Sequence, residues 1–109
     1  MRLGRGRQEP FAELVERQLA LFAEDERELL EEADEAERAW IRAGRELAEE
    51  SYGDFQLVVD AIADGLLTLR ETYARTLDAE AADAYRHALA AGVARRFRRY
   101  ASLISDLEP

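Results

Sequence analysis

The chain has 109 residues, enough for one domain with a single core and too few for two ordinary domains. It contains no Cys, no Lys and one His (His87). This excludes disulfides, thiolate metal sites, Schiff-base lysines, the P-loop lysine and any site that needs two imidazoles from one chain. The net charge is −9, distributed as +3 over residues 1–8, −10 over 9–50, −3 over 51–78 and +1 over 79–109.

The first nine residues carry Arg2, Arg5 and Arg7 beside Gly4 and Gly6 without apolar periodicity, the pattern of a flexible basic arm. Residues 10–109 then read as a single helical-bundle domain. Pro10 suits a first helical turn, where its missing N–H costs nothing. From Phe11, the residues Val15, Leu19, Phe22, Glu26, Leu29, Ala33, Ala36, Trp40, Ala43 and Leu47 recur in steps of four and three, the seam of a helix, and only Glu26 interrupts its apolar character. The spacing predicts one helix over 10–50, about 60 Å long at 1.5 Å per residue. Ser51, Tyr52, Gly53 and Asp54 supply a stop and a new start, with Gly53 as left-handed cap and Asp54 as N-cap.

A second seam of Phe55, Val59, Ile62, Leu66, Leu69, Tyr73 and Leu77 predicts a helix over 54–77. Asp78 is the natural N-cap of a third helix over 79–107, with Glu80 in its first turn and a seam of Ala82, Tyr85, Leu89, Val93, Phe97, Tyr100, Ile104 and Leu107. Small residues form two stripes, Ala61, Gly65, Thr68 and Thr72 on the second helix and Ala81, Ala84, Ala88 and Gly92 on the third. Gly inside a helix costs up to about 1 kcal/mol against Ala, so Gly65 and Gly92 are candidates for close helix packing. The fold class expected is all-α, a three-helix up-down-up protomer with a very long first helix, since short connections make antiparallel neighbours.

Such a first helix outreaches its partners. The second helix returns only to the level of Leu29 or Leu30, which leaves residues 11–26 uncovered with Phe11, Leu14, Val15, Leu19, Leu21 and Phe22. Exposing six such side chains forgoes on the order of 10 kcal/mol at about 1.5–3 each. Either the helix breaks near Glu24, Asp25 and Glu26 and folds back, or the overhang packs on a second copy. Without turn residues near position 25, the sequence favours a homodimer or larger even assembly. Its self-association interface would comprise Phe11, Leu14, Val15, Leu19, Phe22 and Glu26.

Arg95, Arg96, Arg98 and Arg99 interleave with Phe97 and Tyr100, a pattern able to bind anions, nucleic acid or a protein partner. Because both aromatics lie on the seam, the sequence predicts that these arginines pair chiefly within the chain, with Glu46, Glu49 and Glu50. The net charge opposes nucleic acid at long range. His87 points away from its helix seam and has no partner at metal-ligand spacing, so it reads as a surface residue. Asp60 and Asp64 read as a solvated face, and Trp40 and Tyr52 as core or interface anchors. No catalytic, cofactor or metal residues are assigned.

In outline, a long first helix followed by two shorter ones is similar to the dimeric all-helical chorismate mutases. That family holds a dicarboxylate with a Lys beside arginines; this chain has no Lys and does not match the motif spacing, so the likeness implies no activity. All 15 basic residues are Arg, Asn is absent and Ala occurs 20 times, the bias of a GC-rich bacterial coding sequence. No apolar run reaches the roughly 20 residues of a membrane span, and MRLGRGRQEP leads into an amphipathic stretch rather than a signal-peptide core, so the expected location is cytoplasmic. The function expected is that of a non-catalytic homo-oligomeric interaction or scaffold protein. Nucleic-acid or anionic-ligand binding through the arginines and the arm is the alternative, and a small enzyme with an interface pocket is the third.

Overall fold

A computed structural model describes residues 10–101. The basic arm, Ile104 and Leu107 lie outside the described residues. Among these residues the protein is all-α, with five helices: α1 (Ala12–Asp25), α2 (Arg27–Arg42), α3 (Ala48–Ala74), α4 (Ala79–Arg96) and the single turn α5 (Arg98–Ala101).

The very long first helix over 10–50 is not observed. It bends at Glu26 (φ −106°, ψ 31°) and ends at Arg42. At the bend the ladder continues, with the Glu26 amide donating to the Phe22 carbonyl and the Leu30 amide to the Glu26 carbonyl, so the chain changes direction without reversing. No Pro or Gly sits there. The bend falls where the apolar seam lacks an apolar residue, so no core side chain has to be seated at that point.

The turn also lies elsewhere. Ala43 is extended (φ −66°, ψ 138°), Gly44 to Leu47 form one turn, and α3 begins at Ala48. Ser51, Tyr52, Gly53 and Asp54 are therefore inside a helix, and no described glycine adopts a positive φ. The physical reason is arm length. A turn at 43–47 leaves 12–42 facing 48–74, two arms of similar reach. Contacts along α3 then follow in reverse order along α2 and α1: Tyr52 and Phe55 meet Trp40, Gly65 meets Phe22 and Tyr73 meets Phe11.

With the arms matched, the expected overhang is covered by the chain itself except at Leu21, which stays 58% exposed. Val15 and Leu19 are at most 1% exposed and Phe22 is also buried, while Phe11 and Leu14 pack against this core. Gly92 of α4 makes the covering possible: a Cβ there would stand 2.7 Å from Val15 Cγ1 and 3.0 Å from Leu19 Cδ1. Gly65 plays the same part beneath Phe22, where a Cβ would lie 2.9 Å from the ring. Of the two small-residue stripes, these two glycines accept the closest approach.

Most of the other seam residues build the remaining core, but Leu47, placed on the first seam by its spacing, falls in the turn and is 58% exposed. Phe55, Val59, Ile62 and Leu66 of α3 and Ala82, Tyr85, Leu89 and Val93 of α4 are all buried. Asp78 caps α4 as its sequence position requires, its carboxylate accepting from the Ala81 amide at 2.8 Å. Glu71 ties α3 to α4. It accepts from Arg86 Nε and Nη2, each at 3.1 Å, and from Arg70 Nε at 2.6 Å. The hydrogen bonds from Arg86 and Arg70 hold its carboxyl down to about 2.

Two predictions follow from this packing. Gly92→Ala forces a methyl into Val15 and is expected to destabilise by about 1–3 kcal/mol, whereas Gly53→Ala, inside α3 with nothing within 4 Å of the added carbon, is expected to stabilise by about 0.5–1 kcal/mol. Urea titration of both variants measures the pair. For Glu71, the folded pKa lies below the unfolded value, so its contribution is present above about pH 4.5 and is lost as pH falls through about 2. The wild-type advantage in denaturation midpoint over Glu71→Gln is therefore expected in full at pH 7 and largely lost as the pH approaches 2.

Candidate functional site

The α4 helix stops at Phe97 (φ −115°, ψ 47°), and the chain restarts as α5 at Arg98. Phe97 enters the core edge-on to Phe22, with ring centroids 6.1 Å apart. Tyr100 follows into the core beside Phe55, at 6.1 Å. Two buried aromatics three residues apart thus anchor the segment, and the arginines between and before them are carried to its outer side.

Arg99 turns onto α2. Its Nη1 donates to Asp34 Oδ1 at 2.9 Å and its Nη2 to Glu37. The Tyr100 hydroxyl donates to the same Asp34 oxygen at 2.6 Å, and the Arg99 guanidinium lies 5.7 Å from the Tyr100 ring centre. Burial, followed by the bond to Asp34, pushes the Tyr100 phenol up to about 12. Burial is also the largest cause that raises the Tyr85 phenol, against the bond its hydroxyl donates to Gln18 at 2.8 Å, which lowers it.

The sequence-predicted pairing inside the chain holds for Arg99 but with different acids. Asp34 and Glu37 of α2 take the place of Glu46, Glu49 and Glu50, because the turn at 43–47 moves those three to the hairpin end and the start of α3. Arg95, Arg96 and Arg98 are exposed and make no ion pair among the described residues. Arg95 and Arg96 stand in the last turn of α4, where the helix dipole favours a cation.

Between α2 and this segment runs an open groove of about 660 Å³, lined by Leu30, Asp34, Arg96, Phe97, Arg98, Arg99 and Tyr100. Its apolar part is the half-buried Leu30 with the edges of Phe97 and Tyr100, which are 7% and 4% exposed. Arg96 and Arg98 stand on the rim with their charges uncommitted, and the Arg99 charge is already met by two carboxylates. The groove therefore combines a small apolar surface with a net cationic lining, an arrangement that suits an acidic group attached to an apolar one.

The remaining sequence candidates are placed as follows. Of Phe11, Leu14, Val15, Leu19, Phe22 and Glu26, the first five pack within the chain and Glu26 is half-buried at the bend. His87 is exposed. Asp60 accepts from Gln56 at 3.1 Å, and Asp64 is exposed. Trp40 stacks on Phe55 at 5.7 Å and Tyr52 meets Trp40 at 4.8 Å, an aromatic anchor between α2 and α3. Leu30, Asp34 and Glu37 escape the sequence reading; their signal is the shared helix face at spacings of four and three. Among the described residues no group of three or more His, Cys, Asp or Glu side chains is arranged to hold a metal, and no helix is long and apolar enough to cross a membrane. Compared with known proteins, the chain matches no family model, no curated protein and no solved structure.

The Tyr100 phenol, raised from 10 to about 12 in the fold, favours folding fully below pH 10 and loses that contribution as pH rises to about 12. The difference in phenolate absorbance between wild type and Tyr100→Phe is expected to show one step near pH 12. In Asp34→Asn that step is expected at lower pH, because the carboxylate that holds the proton on Tyr100 is gone.

Proposed function

We propose that the chain is a non-catalytic helical interaction protein, an up-down-up bundle whose α2–α5 groove docks a partner segment presenting an apolar side chain flanked by carboxylates. The observation that carries this reading is Arg96 and Arg98, exposed and without ion partners among the described residues, beside the small apolar surface of Leu30, Phe97 and Tyr100. Arg99, clamped by Asp34 and Glu37, keeps the rim in place before any partner arrives, which lowers the entropy lost on docking. Homo-oligomeric assembly belongs to the same reading, with the groove in place of the first-helix interface, because Val15, Leu19 and Phe22 are spent inside the protomer.

Nucleic-acid binding is the second reading, supported by the same two arginines and opposed by the net charge of −9. A fluorescent helical peptide with one leucine flanked by glutamates separates the two. Wild type is expected to bind it, more weakly at high salt, and Arg96→Glu/Arg98→Glu is expected to lose at least about tenfold in affinity, the equivalent of 1.4 kcal/mol. Equal binding by both proteins refutes the groove. Salt-sensitive binding of a 20-base-pair duplex in place of the peptide favours the second reading.

A further inference from the structure

The charge of the bundle is divided between its sides. Residues 27–74, which contain α2 and α3, sum to −8, whereas residues 79–101, which contain α4 and α5, sum to +3. On the outer side of the α2–α3 pair lies a second groove of about 580 Å³. Glu32, Glu35, Ala36, Ala39 and Arg42 line it from α2, and Ser51, Asp54, Leu57 and Val58 from α3. Leu57 is 68% exposed there, a large apolar side chain with Glu32, Glu35 and Asp54 around it.

This surface has the chemistry that the arginine groove requires: an exposed leucine in a groove lined by three carboxylates and one arginine, Arg42, for a net negative charge, against a groove of net positive charge with an apolar part. The two surfaces cannot meet within one protomer. Residues of a helix turn by about 100° each, so Leu30 and Asp34 face one side of α2 while Glu32, Glu35 and Ala39 face the other. A partner for either surface is present on a second copy of the chain.

We propose that the protein self-associates head to tail, with Leu57 of one copy seated in the Leu30, Phe97 and Tyr100 groove of the next and Glu32, Glu35 and Asp54 facing Arg96 and Arg98. The proposal rests on the docking role given to that groove above. Because two different surfaces meet, each added copy leaves one of each kind free, and association closes as a ring or continues as a filament. A two-fold dimer would need the groove and the acidic surface of one copy to meet the same neighbour at once, and their placement on opposite sides of α2 prevents that.

The test uses one variant per surface, neutralised rather than reversed in charge: Arg96→Ser/Arg98→Ser for the groove, and Glu32→Gln/Glu35→Gln/Leu57→Ser for the acidic surface. All five side chains are exposed, and circular dichroism checks that both variants remain helical. By sedimentation equilibrium at low salt, wild type is expected to gain mass with concentration past two protomers of 12.4 kDa, and to lose mass as salt screens the charges. Each variant alone is expected to remain at one protomer. Their equimolar mixture is expected to form a pair and stop there, since one intact groove meets one intact acidic surface. A wild type that remains monomeric, a wild type that stops at two, or a mixture that remains at one protomer mass each overturns the proposal. If wild type is monomeric yet binds the leucine–glutamate peptide, the second copy is refuted as occupant and the groove is retained; if it does neither, both fall.

Discussion

The structure depends on the absence of a side chain at Gly92. Any carbon there would overlap Val15 and press on Leu19, so α4 approaches α1 as closely as it does only because position 92 is bare. That approach sets the depth at which Phe97 reaches Phe22, and with it the line on which the chain leaves the end of α4. Gly65 repeats the device beneath Phe22 from the side of α3. Phe22 of α1 is thereby held between Gly65 of α3 and the edge of the Phe97 ring at the end of α4.

The position of the arginines follows from this packing. Phe97 breaks the helix because its side chain is committed to the core while its backbone leaves the α region (φ −115°, ψ 47°). The segment then rotates, Tyr100 is buried and Arg99 falls over Asp34 and Glu37. Two of the four cations near the chain's end are left beside a small apolar surface through no choice of their own; they are where the aromatics put them. Surface ion pairs are individually worth about 0–1 kcal/mol. The Arg99 pairs therefore matter more for orienting the segment than for holding the fold together, and the buried rings do the latter.

The boundaries of the helices, in contrast with their seams, rest on a balance that local sequence does not express. Gly44 and Gly53 both have open space around them and both are conformationally permissive. Read locally, the group Ser51, Tyr52, Gly53 and Asp54 has more turn chemistry than Ala43 and Gly44. What selects Ala43 to Leu47 is the requirement that 12–42 and 48–74 match in length, which buries Val15, Leu19 and Phe22 and seats Trp40 against Tyr52 and Phe55. Burial of several large side chains outweighs the tenths of a kcal/mol by which one cap differs from another.

The sequence by itself determined the all-α class, most of the core and one boundary. Periodicities of three and four marked Val15, Leu19, Phe55, Val59, Ile62, Leu66, Tyr85, Leu89 and Val93 as inward-facing, since a helix repeats its face every 3.6 residues wherever it begins, and Asp78 announced the start of α4 because its cap is a local hydrogen bond. It marked Glu26 as the flaw in the first seam yet carried one helix through it, where the structure bends. Only the tertiary structure decided that the long first helix ends at Arg42, that all of its N-terminal apolar residues but Leu21 are covered from within, and that Arg99 answers Asp34 and Glu37 rather than Glu46, Glu49 and Glu50. Those outcomes depend on register between segments distant in sequence. A shift of a few residues at one turn moves every later partner, while the periodicity of each helix remains unchanged.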